Sequence, residues 1–212
     1  MAPRNKFSRD EMIERAVQVV RKKGIASLTA KSLANELGVS TQPVFTCFHT
    51  IEEVRREVVN AAQKIYDDYV KEGLCSDIPF LGFGMQYIRF AKEEPELYRV
   101  LFLSTDQNEG NNAFEEMNAS LELATDSMQQ TYHIDEKTAE RYFRDMWLVV
   151  HSLATLIVTG ACPYTDQEIG RILTGFSISH CMAIKEIPGF VDDSYDKDKI
   201  FRELIKKNSV NW

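Results

Sequence analysis

The sequence predicts an all-α protein with a three-helix N-terminal headpiece and a larger helical body. Its 212 residues include only 10 glycines and 6 prolines, which favours long helices over a turn-rich β-sheet protein. Apolar residues recur three or four positions apart through most of the chain, the spacing of helices that bury one face. An apolar content of 44% is enough for an ordinary buried core.

The headpiece is organised around residues 29–49, which we interpret as two short helices joined at a glycine. Leu33 and Leu37 mark the buried face of the first helix. Gly38 suits a left-handed turn, and we expect the Ser40 side chain to cap the second helix. This is the helix-turn-helix arrangement, in which the second helix enters the DNA major groove.

One capped helix precedes this pair and a long helix follows it. Ser8 and Glu11 have the spacing of a capping box, and Gly24 is expected to end the first helix. Thr50 and Glu53 predict a second box at the start of the long helix. Long capped helices on both sides indicate that the glycine-linked pair is part of a compact domain.

The predicted headpiece covers residues 1–50, the body covers residues 51–212, and a linking helix over residues 50–72 joins them. The chain carries a net charge of −7. Eight lysines and arginines against four acids make the headpiece +4, which leaves the rest of the chain at −11. A basic headpiece on an acidic body is what a module that binds nucleic-acid phosphates needs.

Residues 8–59 resemble the DNA-binding domain of the TetR family of bacterial one-component regulators. The matching positions are Ile13, Ala16, Val17, Gly24, Leu28, Thr29, Leu33, Ala34, Leu37, Gly38, Val39, Ser40, Val44, Phe45 and Phe48, with the acidic start of the next helix. The WxxxH run from Trp147 to His151 is a more generic feature of the family. The resemblance implies a homodimeric regulator, most often a repressor, that a small molecule releases from double-stranded operator DNA.

Gln42 is the expected base reader, because a glutamine amide pairs with adenine N6 and N7. Thr41 and Thr46 are expected at a thymine methyl group or a phosphate, whereas Val44 and Phe48 should face inward. We expect the basic N-terminal residues to lie along a phosphate strand or in the minor groove. For Arg4, a solvated tail is an equal alternative. The complete predicted DNA-binding set is Arg4, Lys6, Thr29, Lys31, Ser40, Thr41, Gln42, Pro43, Phe45, Thr46, His49 and Thr50.

Three positions depart from the family pattern. Phe45, Cys47 and Ile51 stand where the family usually has tyrosine, histidine and lysine. The tyrosine hydroxyl and the lysine ammonium commonly hold phosphates, so their absence should weaken DNA binding. His49 and the start of the following helix are a possible replacement phosphate site. A ligand sensor with weakened or lost specific DNA binding is therefore the alternative function.

The body is predicted to contain helices over residues 79–94, 113–131, 135–160 and 166–187, a short helix from Pro95, and one amphipathic helix in the 188–212 tail. The helix over 135–160 is apolar nearly all round, and the helix over 166–187 carries small residues at helical spacing. We expect these two helices to form a four-helix homodimer seam with their symmetry mates, as the resemblance also implies. The polar stretch 104–112 is predicted to be a surface loop, either a connector or a lid over a ligand.

The candidate effector pocket combines aromatic and methionine side chains with two polar groups, which suits an apolar or aromatic small molecule. Its residues are Phe83, Tyr87, Phe102, Met117, Leu121, Trp147 and His151. The simpler interpretation is that each of them is a core residue, and that His151 in particular is a hydrogen-bonded core histidine.

Several function classes have little support. The four cysteines contain no CxxC pair, which favours free buried thiols over disulfides or a zinc site. Cys162 and His180 fit no catalytic template, and the acids lie on solvated faces, so an enzyme and a cofactor are disfavoured. No window resembles a membrane span or a signal sequence. We therefore expect a cytoplasmic protein.

Overall fold

The computed structural model describes residues 7–103 and 113–207, and its regular structure there is entirely helical, as predicted. The helices are α1 (Arg9–Lys23), α2 (Ala30–Leu37), α3 (Gln42–Cys47), α4 (Ile51–Leu74), α5 (Pro79–Glu93), α6 (Pro95–Tyr98), α7 (Ala113–Tyr132), α8 (Glu136–Val158), α9 (Asp166–Glu186) and α10 (Lys197–Lys207). A 3-10 turn (Ile25–Ser27) follows α1, and a π-helical turn (Arg99–Leu103) continues α6. Within the described ranges, no helix is long and apolar enough to cross a bilayer.

The headpiece helices begin and end where local chemistry predicts. Ser8 and Glu11 form both bonds of the capping box at the start of α1. Gly24 at the end of α1 and Gly38 at the end of α2 adopt φ values of 76° and 66°, which glycine reaches without steric cost. Val44 and Phe48 are each 1% exposed, so their predicted inward orientation is confirmed.

The predicted Ser40 cap is wrong. Helix α3 begins at Gln42, and Thr41 occupies the cap position without a hydrogen bond from its side chain. The reason is Pro43, which has no backbone N–H to donate a hydrogen bond to a capping oxygen. Ser40 instead lies exposed in the turn between the two helices.

The start of α4 differs from the predicted capping box. Thr50 accepts a hydrogen bond from the Glu53 N–H at 3.1 Å, as expected. The Glu53 carboxylate, however, accepts from the His49 N–H at 2.8 Å rather than from Thr50. The Glu53 carboxylate therefore pairs with the residue before Thr50, and Arg9 also binds this carboxylate.

The buried face of α4 follows a four-residue repeat: Val54, Val58, Ala62, Tyr66 and Val70. Ala61, Ile65 and Tyr69 are half-buried at its edge. The helix ends at Leu74, two residues beyond the end of the predicted linking helix.

The body core forms where α5 packs between α4 and α8, with α7 and α9 covering α8. Gly73 allows a close helix contact, because a Cβ there would lie 2.7 Å from the backbone of Gly82 and Phe83. Phe114 on α7 is 62% exposed. The predicted loop 104–112 lies outside the described residues.

All four cysteines are free, as predicted, but none is fully buried. Cys75 is exposed, and Cys47, Cys162 and Cys181 are half-buried. The expectation that they are buried thiols is therefore wrong, since three of them pack at the edge of the core and Cys75 faces solvent.

Candidate DNA interface and effector site

The α2–α3 corner presents most of the predicted DNA-binding residues on one exposed surface. Its exposed members are Thr29, Lys31, Ser40, Thr41, Gln42, Phe45, Thr46, His49 and Thr50, and Pro43 is half-buried. Phe45 is 51% exposed, a large apolar side chain on an otherwise polar surface. Arg4 and Lys6 lie outside the described residues.

The hydroxyl groups on this surface are partly used by their own helices. Thr29 accepts from the Ser32 N–H at 3.0 Å. The Thr46 hydroxyl donates to the Gln42 carbonyl at 3.0 Å. The side chains of Thr41 and Gln42 make no hydrogen bond to any described residue, so they are the groups most available to a base edge.

Three headpiece cations are engaged in ion pairs. Arg9 donates to Glu53 at 2.8 Å, to Glu57 at 2.7 Å and to the Cys47 carbonyl at 2.9 Å. Lys22 pairs with Glu36 within the headpiece, and Arg21 pairs with Glu94 of the body. Lys31, Arg15 and Lys23 form no ion pair with a described residue, so they remain the cations available to phosphates.

The replacement phosphate site at the start of α4 finds no support. The His49 N–H that a phosphate would use already donates to Glu53. This bond, followed by the Arg9 contact, holds the pKa of the Glu53 carboxyl below its ordinary value. A carboxylate that stays ionised in that position repels a phosphate group.

Five of the seven predicted effector residues form one cluster of rings, centred on Tyr87 of α5. The Tyr87 ring lies 5.1 Å from Phe102 and 6.3 Å from Trp147 between centroids. Trp147 stacks on His151 at 4.5 Å with only 9° between the planes. Phe83 lies 6.0 Å from Tyr87. The remaining two, Met117 and Leu121, are buried on α7.

A hydrogen-bond network surrounds the half-buried His151. The hydroxyls of Tyr87 and Tyr98 lie 2.9 and 3.1 Å from its Nδ1, and Tyr98 also contacts the Thr155 hydroxyl at 3.1 Å. Burial lowers the pKa of His151 and raises the pKa of both tyrosines. The imidazole is therefore neutral at pH 7, with one nitrogen as donor and the other as acceptor.

The sequence interpretation missed four residues of this region: Tyr98, Tyr66, Ser120 and Glu116. Tyr98 completes the network at His151, and Tyr66 lies 5.2 Å from Phe102 with its hydroxyl 3.0 Å from the Ser120 hydroxyl. Glu116 on α7 is only 1% exposed. Burial raises the pKa of Tyr66, and the nearby Glu116 adds to that rise. The four-residue repeat that leads to Tyr66 was the one available signal for it.

A separate cleft of about 540 Å³ lies between α1 and α4, away from the aromatic cluster. It is lined by charged residues, such as Arg15 and Lys64, together with the apolar Ile13, Ala61 and Ile65. The aromatic cluster differs from this cleft because it combines buried rings with converging polar groups, the composition typical of ligand sites. Within the described ranges, no three histidine, cysteine or acidic side chains are grouped to hold a metal ion.

Residues 80–174 match the family model described as the tetracyclin repressor-like C-terminal domain. All seven predicted effector residues fall inside this match. In this part of the body the chain is similar to the TetR family. Among solved structures, the chain is similar to the crystal structure of the multidrug binding protein EbrR complexed with imidazole. The two share 18% identity and a TM-score of 0.51, over 79% of this chain and 88% of that chain.

At this identity the structural likeness shows only the fold that the chain shares with EbrR. No curated protein matches the chain in sequence. The TetR-family resemblance seen in the headpiece residues is thus matched by an independent similarity in the body.

Proposed function

We propose that this protein is a TetR-family member and a homodimeric transcriptional regulator, a repressor that a small-molecule effector releases from DNA. The observation that carries the proposal is the construction of α3. Val44 and Phe48 anchor the helix from beneath, while Gln42 and Phe45 on its other side are exposed. A short helix fixed in this way presents side chains to the edges of bases in a major groove.

The body supports the effector part of the proposal. Its buried rings enclose a neutral histidine with two tyrosine hydroxyls, a mostly apolar site with a few polar groups to orient a ligand. The similar structure is that of a multidrug binding protein. We therefore propose an apolar or aromatic effector, bound between α5, α7 and α8.

Exposed apolar side chains on α8 and α9 support a homodimer. Leu148 and Leu156 on α8 are 50% and 37% exposed, and Phe176, Ile178 and Met182 on α9 are all more than half exposed. Large apolar side chains exposed on two neighbouring helices are typical of a protein interface. In a twofold dimer the two headpieces would bind half-sites about 34–36 Å apart.

DNA binding should be measured by fluorescence anisotropy on the DNA that flanks the protein's own gene, across a series of salt concentrations. Tight binding that is selective for sequence and weakens with salt supports the regulator. Gln42→Ala should reduce the preference between sequences while leaving non-specific affinity nearly unchanged. Asn35→Ala, at an exposed position on α2, is the matched control and should retain the preference. A uniform loss on every sequence for Gln42→Ala contradicts its role as base reader.

The second candidate is an effector-binding protein with weakened or lost specific DNA binding. The observation that favours it is the shortage of headpiece groups that could contact phosphates. Phe45 and Ile51 lack the polar groups that hold phosphates in the family, and Arg9 is committed to Glu53 and Glu57. Effector binding without sequence-selective DNA binding would establish this candidate. Both proposals assign a cytoplasmic location, no reaction and no cofactor.

A further inference from the structure

The indole of Trp147 carries a buried donor that the fold does not satisfy. Trp147 is 1% exposed, and its Nε1–H finds no acceptor among the described residues. More than nine in ten buried polar groups in folded proteins have a hydrogen-bond partner, because leaving one unpaired is costly. A buried donor retained in a ring cluster is therefore a candidate for ligand recognition.

His151 lies next to this donor. The hydroxyls of Tyr87 and Tyr98 are within hydrogen-bond distance of its Nδ1, and either tautomer of the neutral imidazole fits these contacts. The buried indole N–H thus stays unpaired beside a polar network.

The two rings belong to one structural unit. Trp147 and His151 lie four residues apart on α8, which places them on the same face of the helix. Their rings are stacked at 4.5 Å and nearly parallel. The neighbouring rings of Tyr87 and Phe102 add apolar surface, so the unit combines flat aromatic rings with an unpaired N–H group.

We propose that the Trp147 Nε1–H binds an acceptor oxygen, such as an aryl ketone or ester carbonyl, on a planar aromatic effector. This inference rests on the proposed function of the body as an effector-binding domain, and it adds the chemical class of the effector. A carbonyl oxygen fits because it accepts a hydrogen bond and donates none. An effector that presents an ammonium group to Trp147 would place donor against donor.

Two probes of the same shape test the inference on the full-length protein. In 2-acetylnaphthalene a carbonyl oxygen stands where 2-isopropenylnaphthalene has a methylene group, so only the acceptor differs. We expect the ketone to bind about tenfold more tightly, the effect of one hydrogen bond to an otherwise unpaired donor. Titration calorimetry gives both affinities.

Nuclear magnetic resonance reports on the donor itself. The chain has two tryptophans, so a Trp212→Phe variant assigns the indole N–H resonance of Trp147 in ¹⁵N-labelled protein. The ketone should move this resonance downfield by forming a hydrogen bond, and the alkene should not. This measurement uses the unmodified pocket and does not depend on variants of its residues.

Variants then test which side chain causes the preference for the ketone. Trp147→Phe keeps a ring but removes the N–H, and it should reduce the preference for the ketone. Phe83→Leu is the matched control, because it removes a buried ring without a donor and should weaken both probes alike.

Three outcomes overturn the inference. They are equal affinity for the two probes, an unmoved Trp147 resonance with the ketone, and failure of both probes to bind. Equal affinity leaves the effector-binding body intact and rejects only the role of the Trp147 donor. Failure of both probes also counts against the site, whereas the regulator stands or falls on DNA binding measured separately.

Discussion

The Arg21 guanidinium of α1 donates two hydrogen bonds to the Glu94 carboxylate, at 2.7 and 2.6 Å. Glu94 lies between α5 and α6, and α6 ends at Tyr98, whose hydroxyl reaches His151. One short path therefore connects the aromatic cluster to the first helix of the headpiece. An effector that moves Tyr98 would act on the headpiece through this pair.

Loss of the Arg21–Glu94 pair should uncouple effector binding from DNA release. Glu94→Gln keeps the shape but removes the charge, and we expect it to cost about 1 kcal/mol of unfolding free energy for this partly exposed pair. Effector coupling in such proteins is typically about 1–3 kcal/mol, and the variant should lose about half of it or more. DNA anisotropy with and without 2-acetylnaphthalene measures the coupling.

Lys22→Ala provides the control for this prediction. It removes the ion pair with Glu36, in which both partners belong to the headpiece. We expect a smaller stability loss and unchanged coupling. Equal loss of coupling in Lys22→Ala and Glu94→Gln would mean that the Arg21 contact is not the connection between the two regions.

The helices could be predicted largely from the sequence because their signals are local. Ser8 with Glu11 forms the predicted capping box, Thr165 with Glu168 forms another, and Asp135 caps α8. Local signals failed where a distant residue competes for the same group. Glu53 leaves its own cap for the His49 N–H because Arg9, 44 positions earlier, binds its carboxylate.

The candidate site could be predicted only in part, for a related reason. Tyr87, Trp147 and His151 stood out because aromatic and polar residues recur on the buried faces of two long helices. Tyr98 was missed because its value comes from a contact with His151, 53 positions away. Which polar atoms remain unpaired, such as the Trp147 N–H, depends on such contacts and cannot be inferred from helical spacing.

Adding a cation at Ile51 should restore one phosphate contact. In Ile51→Lys we expect the slope of log affinity against log salt to steepen by about 0.9, on every DNA sequence alike. Phe45→Tyr adds a neutral hydroxyl and should raise affinity without changing the slope. Ile78→Lys, at an exposed apolar position of the body, is the control and should leave both quantities unchanged. An unaltered slope for Ile51→Lys would mean that this position faces away from the DNA.

The close contact between α4 and α5 should tolerate no side chain at Gly73. A Cβ there would meet backbone atoms of Gly82 and Phe83 at 2.7 Å, and backbone atoms cannot move aside without shifting a helix. We expect Gly73→Ala to cost about 2–3 kcal/mol in urea unfolding. Gly84→Ala would meet only the Val150 and Leu173 side chains, at 3.3 and 3.7 Å, and should cost about 1 kcal/mol or less. Equal losses would show that α4 moves freely against α5.

Gly175 on α9 offers a test of the proposed dimer seam. A Cβ at this position has no atom within 4 Å among the described residues of the protomer, so a side chain can start here without a clash in the isolated chain. Overpacking against a partner helix should therefore be its main effect, and Gly175→Leu should be monomeric by analytical ultracentrifugation. Glu72→Leu, at an exposed position on α4, should remain dimeric. A dimeric Gly175→Leu protein would place the interface elsewhere.

Acidification should destabilise the protein because the folded body holds two histidines neutral. Burial lowers the pKa of His151, and it lowers that of His180 in spite of the nearby Asp145 carboxylate. In the unfolded chain each imidazole has a pKa of about 6.5, so below that pH the unfolded state binds more protons than the folded state. The contribution of these histidines to the free energy of unfolding is fully present above that pH and is lost as pH falls, by up to about 1.4 kcal/mol per pH unit for each histidine.

Urea unfolding at pH 7.5, 6.5 and 5.5, at one protein concentration, measures the slope of unfolding free energy against pH. His151→Phe should make it shallower, whereas replacing the exposed His133 with asparagine should not; an unchanged slope for His151→Phe would mean that His151 takes up its proton without unfolding.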